Sequence, residues 1–534
     1  MVESADDSDG SSVMEEKAAS ISHFEDVLAL IGPFGIYQWS FAVALVAFTF
    51  LFCGNHDNLV YSTSLPNVTC FDNNDSLMSS WNMKGDSSTD KELFCKDFHN
   101  GSCSRLTWDA PFGTIIEEWQ LICDYWLERV PGIISSIQIS GVLVAVVSCG
   151  YLSDRFGRRR TFSGCYILCM TATLASILAP NWWFFAICRF FVGGSMSAGA
   201  NVLFVWGMEL TNQENNMKIN LSRNWILALM VTPGIAYLAG RWRTFLAIIF
   251  VGSLPLTLIC ALFMESPRWV LQQGNREKAA TILTKLARVN RRSEVEITPQ
   301  DLVGIPVLKE KGGNVRLLCS NRRLIFYLIL NVMMHVATET VSATYTFEIT
   351  RLEGSPYWKF FVYGFLRLWC VPAIYWLDRG HSWWGRRHMV LVPKAAMLLC
   401  YLLTTVFAIF KPMGQGEQSW VVYGSILLAV VLGNFLVMGL GQYQIELFPT
   451  NSRNMAANLI VSSEAISGMV VPMLVNLESE IRGLPFVVAS VALSVSLAVG
   501  YLFLPEIKGK NVPDTIEDVM DLQVSDAPFS LVLL

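Results

Sequence analysis

The sequence predicts an all-α membrane protein, twelve transmembrane helices arranged as two six-helix halves. Three observations carry this. The chain is 53% hydrophobic and 16% charged, whereas a soluble domain carries about 25% charged residues; with a mean hydropathy of +0.42, the excess apolar surface is expected to face lipid. Twelve apolar runs are spread along 534 residues, six on each side of a polar gap of about 60 residues. And a charged turn, "GYLSDRFGRRR" from Gly150 to Arg160, returns in weaker form as "DRGHSWWGRR" from Asp378 to Arg387, at the corresponding place in the second half.

The elements follow in order. Residues 1–34 are Ser- and acid-rich, with no basic n-region or cleavage-type site; they read as a cytoplasmic tail and not as a signal peptide. A span needs roughly 20 mostly apolar residues. The N-terminal half, 35–263, holds candidates at about Gly35–Cys53, 130–152, 161–179, 183–208, 224–240 and 243–263. A central loop, 264–323, separates it from the C-terminal half, 324–504, with candidates at about 324–346, 358–377, 389–410, 419–445, 455–476 and 484–504. Residues 505–534 form a second tail. Pro131, Pro233 and Pro372 interrupt spans two, five and eight; membrane helices tolerate proline where neighbours satisfy the freed backbone groups.

Lys and Arg set the orientation. Connections after even-numbered spans hold Arg155, Arg158, Arg159, Arg160, Lys218, Arg379, Arg386, Arg387 and Arg453, and the central loop adds twelve more between Arg268 and Arg323. The short odd connections hold few. The even side and both termini are therefore expected in the cytoplasm. The first odd loop, about 54–128, is long and polar. It carries Cys70, Cys95, Cys103 and Cys123, and three N-x-S/T patterns at Asn67, Asn74 and Asn100. It is expected outside, glycosylated and disulfide-bonded, and four cysteines allow three pairings.

The repeated turn suggests two parallel six-helix repeats, with a binding site near mid-membrane between them. Gly157 permits a tight turn that a Cβ would resist. Asp154 is expected to pair with a guanidinium from a neighbouring helix, and Arg189 in span four is the expected partner. Such a pair would hold one face shut and break when it opens. Arg155 and Arg158 in the first copy, and Asp378 and Arg379 in the second, belong to the same device, although the arginines also serve orientation.

Further stretches carry a resemblance. "ESPRWVLQQGNREKAATILTKLARVN" from Glu265, "IELFPTNSRNMAAN" from Ile445, "LPEIKGKNVPDTIEDV" from Leu504 and "WQLICD" from Trp119 resemble, in order and over nearly the whole chain, the organic cation, anion and zwitterion transporters of the major facilitator superfamily. The resemblance implies the major facilitator fold, alternating access around a central site, and a plasma-membrane carrier of small organic ions, cation or zwitterion favoured. Glu209 and Glu446, at the ends of spans four and ten, resemble family positions that bind arginines; Arg453 is the expected partner of Glu446.

Ionisable residues inside spans cost roughly 2.5–3.5 kcal/mol on insertion scales and mark functional sites. Glu464 lies well inside span eleven. Alignment on Arg453 and Pro472 puts Ala465 where cation carriers have Asp and anion carriers Arg, so the acid here stands one place earlier. Arg367 in span eight stands where cation carriers usually have an acid, and it opens the possibility of an anion. His335 and Glu339, four apart, share a face of span seven. Ser197 and Ala200 replace an expected Lys and Trp. Tyr37, Trp39, Trp206 and Tyr443 are possible stacking or cation–π contacts, although Trp and Tyr serve equally as interface anchors.

No P-loop, GxSxG, HExxH or metal-ligand spacing occurs in the sequence, so no enzyme, ATP drive, cofactor or metal is expected. The expected partners are a small organic ion and the lipid bilayer, without nucleic acid. Two competing functions remain: a sugar porter, which shares the charged turn but lacks the long cysteine-bearing loop, and a receptor that has lost transport. Saturable tracer flux separates carrier from receptor.

Overall fold

The computed structural model describes residues 24–509, apart from 33, 65, 73–76, 83–87, 101, 213–214, 224, 306–320, 352–354, 382, 411–417, 449 and 477–482. The first half comprises α1 (Phe24–Leu30), α2 (Ile36–Ser62), a small domain of β1 (Asn67–Phe71), β2 (Leu77–Asn82), α3 (Ser88–His99), β3 (Arg105–Asp109) and α4 (Ile115–Trp119), then α5 (Val130–Phe156), α6 (Arg158–Ile177), α7 (Trp182–Met208), α8 (Asn216–Ser222), α9 (Ile226–Ala239), α10 (Trp242–Ser253) and α11 (Thr257–Leu262). The central segment supplies α12 (Pro267–Gln272) and α13 (Arg276–Val289). The second half comprises α14 (Arg322–Arg351), α15 (Pro356–Leu368), α16 (Cys370–Gly380), α17 (Arg386–Phe410), α18 (Gln418–Leu447), α19 (Thr450–Asn476) and α20 (Leu484–Phe503).

Among the described residues, nine helical stretches are long and apolar enough to cross a membrane. Three more complete the twelve. Met455–Val471 is an apolar stretch within α19, α6 is diluted by its leading arginines, and α9 has 14 residues with Pro233 inside. Pro131 sits in the first turn of α5, where its missing N–H costs nothing. Pro372 lies just after the break between α15 and α16 at Trp369, because its ring excludes the carbonyl four residues earlier. The first span, expected to end near Cys53, continues as helix to Ser62.

Two apolar cores match the two halves. One gathers α2, α5, α6, α7 and α10 with α12 and α13; the other gathers α14 and α17 to α20. Between halves, α5 lies along α19 and α9 along α15. The small domain is an antiparallel sheet of order β2-β1-β3. Its disulfides are Cys70–Cys103 and Cys95–Cys123, one of the three pairings the sequence allowed. The domain docks where Gly113 N donates to Gly240 O at 2.8 Å and Trp242 N to Gly113 O at 3.2 Å, so it covers the α9–α10 end of the bundle. The Gly157 turn, α12 and α13 lie at the other end.

Candidate functional site

Two sites are built from charge. The first is the Gly157 turn. Gly157 has φ +100°, and a Cβ there would come within 2.4 Å of Glu265 Oε2; only glycine fits. The Glu265 carboxylate accepts from Arg158 N at 2.9 Å and Arg159 N at 3.1 Å, satisfying donors that a helix start leaves open. The Arg158 side chain, 1% exposed, donates from Nη1 to Asp154 Oδ1 at 2.6 Å, from Nη2 to Glu209 Oε1 at 2.8 Å and from Nε to Glu209 Oε2 at 3.2 Å. Trp269 Nε1 donates to Asp154 O at 2.9 Å. One guanidinium thus ties α5 to α7, and the central segment closes over it.

The second half repeats this arrangement. Glu506 accepts from Arg386 N at 2.7 Å and Arg387 N at 3.1 Å. Arg386 donates to Asp378 and to Glu446, from Nε at 2.8 Å and Nη2 at 3.0 Å. Arg155 and Arg379, by contrast, are exposed and donate to Tyr151 Oη and Tyr375 Oη on their own helices. Sequence reasoning assigned Asp154, Arg158, Glu209, Asp378 and Glu446 to this device but did not include Arg386, and it missed the two carboxylates that hold the turns, Glu265 and Glu506. Their signal was positional, since each is the first acid after the last span of its half.

One expected partner is corrected. Arg189 does not meet Asp154. α5 and α7 run parallel, so Asp154, near the end of α5, faces the end of α7, where Glu209 stands. Arg189, near the start of α7, donates from Nε to Gln138 Oε1 at 2.8 Å, from Nη1 to Asn55 Oδ1 at 3.3 Å, and to Asn55 O. Glu446 is held by Arg386; the side chain of Arg453 lies outside the described residues, as does Asn74. Asn67 begins β1 and Asn100 follows α3.

The second site is a charged set between the halves. His335 Nδ1 and Glu464 Oε1 stand 2.5 Å apart. Glu339, one turn beyond His335, is within electrostatic reach of Glu464, His56 and Arg367, and Arg223 is within reach of Glu464. Arg367, 5% exposed, lays its guanidinium 4.0 Å over the Tyr363 ring. Arg223 does the same over Phe204 at 4.1 Å and borders Gly441 of α18. The structure therefore gathers Glu464, His335, Glu339 and Arg367 as one set. His56 and Arg223, which sequence reasoning missed, join it from the first half. Both stood at the edge of expected spans and read as loop residues.

Tyr37 and Tyr443 are not part of this set. Tyr37 Oη accepts from Met264 N at 2.9 Å and its N–H donates to Asn290 Oδ1 at 3.0 Å; Tyr443 Oη donates to Pro505 O at 3.0 Å. Both fasten spans to the segments that follow each half. Trp206 packs among Phe41, Phe162 and Phe263, and Trp39 is exposed. The arrangement provides a set of charges of both signs contributed by both halves and an end tied by two charged clusters. No group of metal-binding side chains occurs among the described residues.

A family model described as "Sugar (and other) transporter" matches residues 43–517. The chain is 27% identical over 433 residues to a beta-alanine transporter of Drosophila melanogaster, covering 76% of this chain and 66% of that one, just under two thirds of its length. It is 26% identical over 427 residues to the Homo sapiens organic cation/carnitine transporter 2, covering 77% and 72%. In fold it resembles the major facilitator superfamily proton:xylose symporter XylE, with a TM-score of 0.63 and 16% identity over 91% of this chain and 99% of that one.

Proposed function

Since the chain belongs to the sugar (and other) transporter family and is a multi-pass membrane protein with the major facilitator fold, we propose that it carries small organic ions, a cation or zwitterion in preference to an anion, across the plasma membrane by alternating access. The observation that carries this is the charged set of His56, Arg223, His335, Glu339, Arg367 and Glu464. A neutral sugar does not call for charges of both signs at a membrane centre, where each is costly. Relatives named for beta-alanine and for organic cations and carnitine agree with an ionic cargo. In this reading the carboxylates Glu464 and Glu339 receive the cationic group and Arg367 an anionic one, while the Arg158 and Arg386 clusters form the closed cytoplasmic gate.

The test is a tracer panel of tetraethylammonium, benzoate, beta-alanine and xylose in proteoliposomes at two membrane potentials. Saturable flux of a charged probe supports the carrier; flux of xylose alone would favour a sugar porter, and none at all a receptor. Glu464→Gln is expected to cut tetraethylammonium uptake at least tenfold, about 1.4 kcal/mol of lost interaction, with normal surface protein. Arg367→Ala is expected to spare tetraethylammonium and to lower uptake of any carboxylate-bearing probe. Full tetraethylammonium uptake by a well-folded Glu464→Gln protein would refute the cation assignment.

The proposed orientation puts the small sheet domain outside and residues 264–323, with both termini, in the cytoplasm. Glycosidase is expected to raise gel mobility, and replacement of Asn67, Asn74 and Asn100 together to abolish that change. An antibody to the Arg276–Arg292 segment that labels intact cells would overturn the orientation.

A further inference from the structure

The His335–Glu464 contact has an asymmetry that a sealed ion pair would lack. The imidazole is buried, 7% exposed, and its Nε2 has no hydrogen-bond partner among the described residues. The Glu464 side chain keeps 32% of its surface open. One side of the pair is thus closed off in protein and the other is accessible to a ligand. At 2.5 Å between Nδ1 and Oε1, a proton lies between the two groups.

The charged surroundings are drawn from several elements. α14 gives His335 and Glu339, α19 Glu464, α15 Arg367, α2 His56, and the segment before α9 Arg223. Lys394 of α17 is nearby, fully buried and donating to Ser496 Oγ at 2.6 Å and Met334 Sδ at 3.2 Å. α20, which also packs on α14, has no acidic or basic side chain and only Tyr501 near its end, and the one acid of α18, Glu446, is held by Arg386. The two arginines offset the two carboxylates.

We propose that the His335–Glu464 pair is a proton site that exchanges one proton for the cationic group of the substrate, so that the carrier moves organic cations in one direction and protons in the other. This rests on the cation-carrier reading above. With the proton bound, the imidazolium is balanced by the Glu464 carboxylate. A substrate cation takes that carboxylate from its open side. The imidazolium then stands buried without its counter-charge, a costly state, so its N–H bond breaks and the proton passes to water on the open side of the carrier. One positive charge replaces another, and the cycle is electroneutral.

The experiment uses the full chain in proteoliposomes containing an impermeant pH dye, with membrane potential clamped by potassium and valinomycin. Tetraethylammonium is the probe because its charge is permanent and it carries no titratable proton. Its entry is expected to make the lumen more alkaline. Its accumulation is expected to rise about tenfold per pH unit by which the lumen is more acidic, and to ignore membrane potential. Saturable tetraethylammonium flux that follows potential and leaves lumen pH unchanged would overturn the proton site while leaving the cation carrier intact. Absence of saturable tetraethylammonium flux would remove both. His335→Gln, which can donate to Glu464 without carrying a charge, is expected to lose the pH-gradient response; a folded His335→Gln protein that keeps the tenfold dependence would also overturn the assignment, and if it does not fold the wild-type dye measurement decides alone.

Discussion

Arg158→Ala should be the most damaging single change at the charged end of the bundle. Its guanidinium, 1% exposed, is shared by Asp154 at 2.6 Å and Glu209 at 2.8 Å. Removing it strands the Glu209 carboxylate in a buried site, and breaking a buried pair in this way costs about 3–5 kcal/mol. The expected outcome is a large drop in thermal midpoint by fluorescence-detected size exclusion, with little protein at the surface. Arg155→Ala, three residues away but exposed, should lie within about 0.5 kcal/mol of wild type. Asp154→Asn should differ in kind: Arg158 keeps both oxygens of Glu209, so surface protein is retained while exchange slows, because weakening one closed-state contact shifts the balance between conformations. Equal stability of Arg158→Ala and Arg155→Ala would show that the cluster is not the closure it is taken for.

Gly141→Ala is the second large effect, and it is mechanical. A Cβ on Gly141 would meet the carbonyl oxygen of Phe190 at 2.0 Å, one on Gly193 the carbonyl oxygen of Gln138 at 2.3 Å, and one on Gly194 that of Gly141 at 2.7 Å. Backbone touches backbone where α5 crosses α7, the close approach that small residues allow in membranes. Because the obstacle is main chain, the helices themselves must separate, and overpacking of this kind costs about 1–3 kcal/mol. Separation would also displace Gln138 from Arg189 and pull Asp154 and Glu209 apart from the Arg158 guanidinium they share. Gly164→Ala is the control: it lies mid-helix with nothing within 4 Å of its Cβ and should be neutral or slightly stabilising. A thermal midpoint for Gly141→Ala at or above that of Gly164→Ala would contradict the close crossing.

Much of the candidate site was legible because its residues are anomalous where they stand. Glu464, Glu339, His335 and Arg367 interrupt apolar runs, and that is visible without coordinates. His335 and Glu339 are four apart, so their common face follows from helical pitch. Lys394 was equally anomalous, inside span nine, and went unread. His56 escaped because span one looked finished at Cys53, whereas α2 continues to Ser62; buried polar residues such as Asn55 and Asn58 lower the hydropathy of the last turns without ending the helix.

The sequence by itself determined the count of spans, the repeat of the charged turn and the polar loop with its four cysteines, because these depend on runs of residue type and on near neighbours along the chain. Only the tertiary structure decided which cysteines join, Cys70 with Cys103 and Cys95 with Cys123, that Arg158 and not Arg189 serves Asp154, and that His335 meets Glu464 across 129 positions. Hydrophobicity places a helix in the membrane and says almost nothing about its rotation or its neighbours. Those are settled by the few places where backbones approach within contact, as at Gly141 and Gly193, and such contacts fix which charges, far apart along the chain, come to face one another.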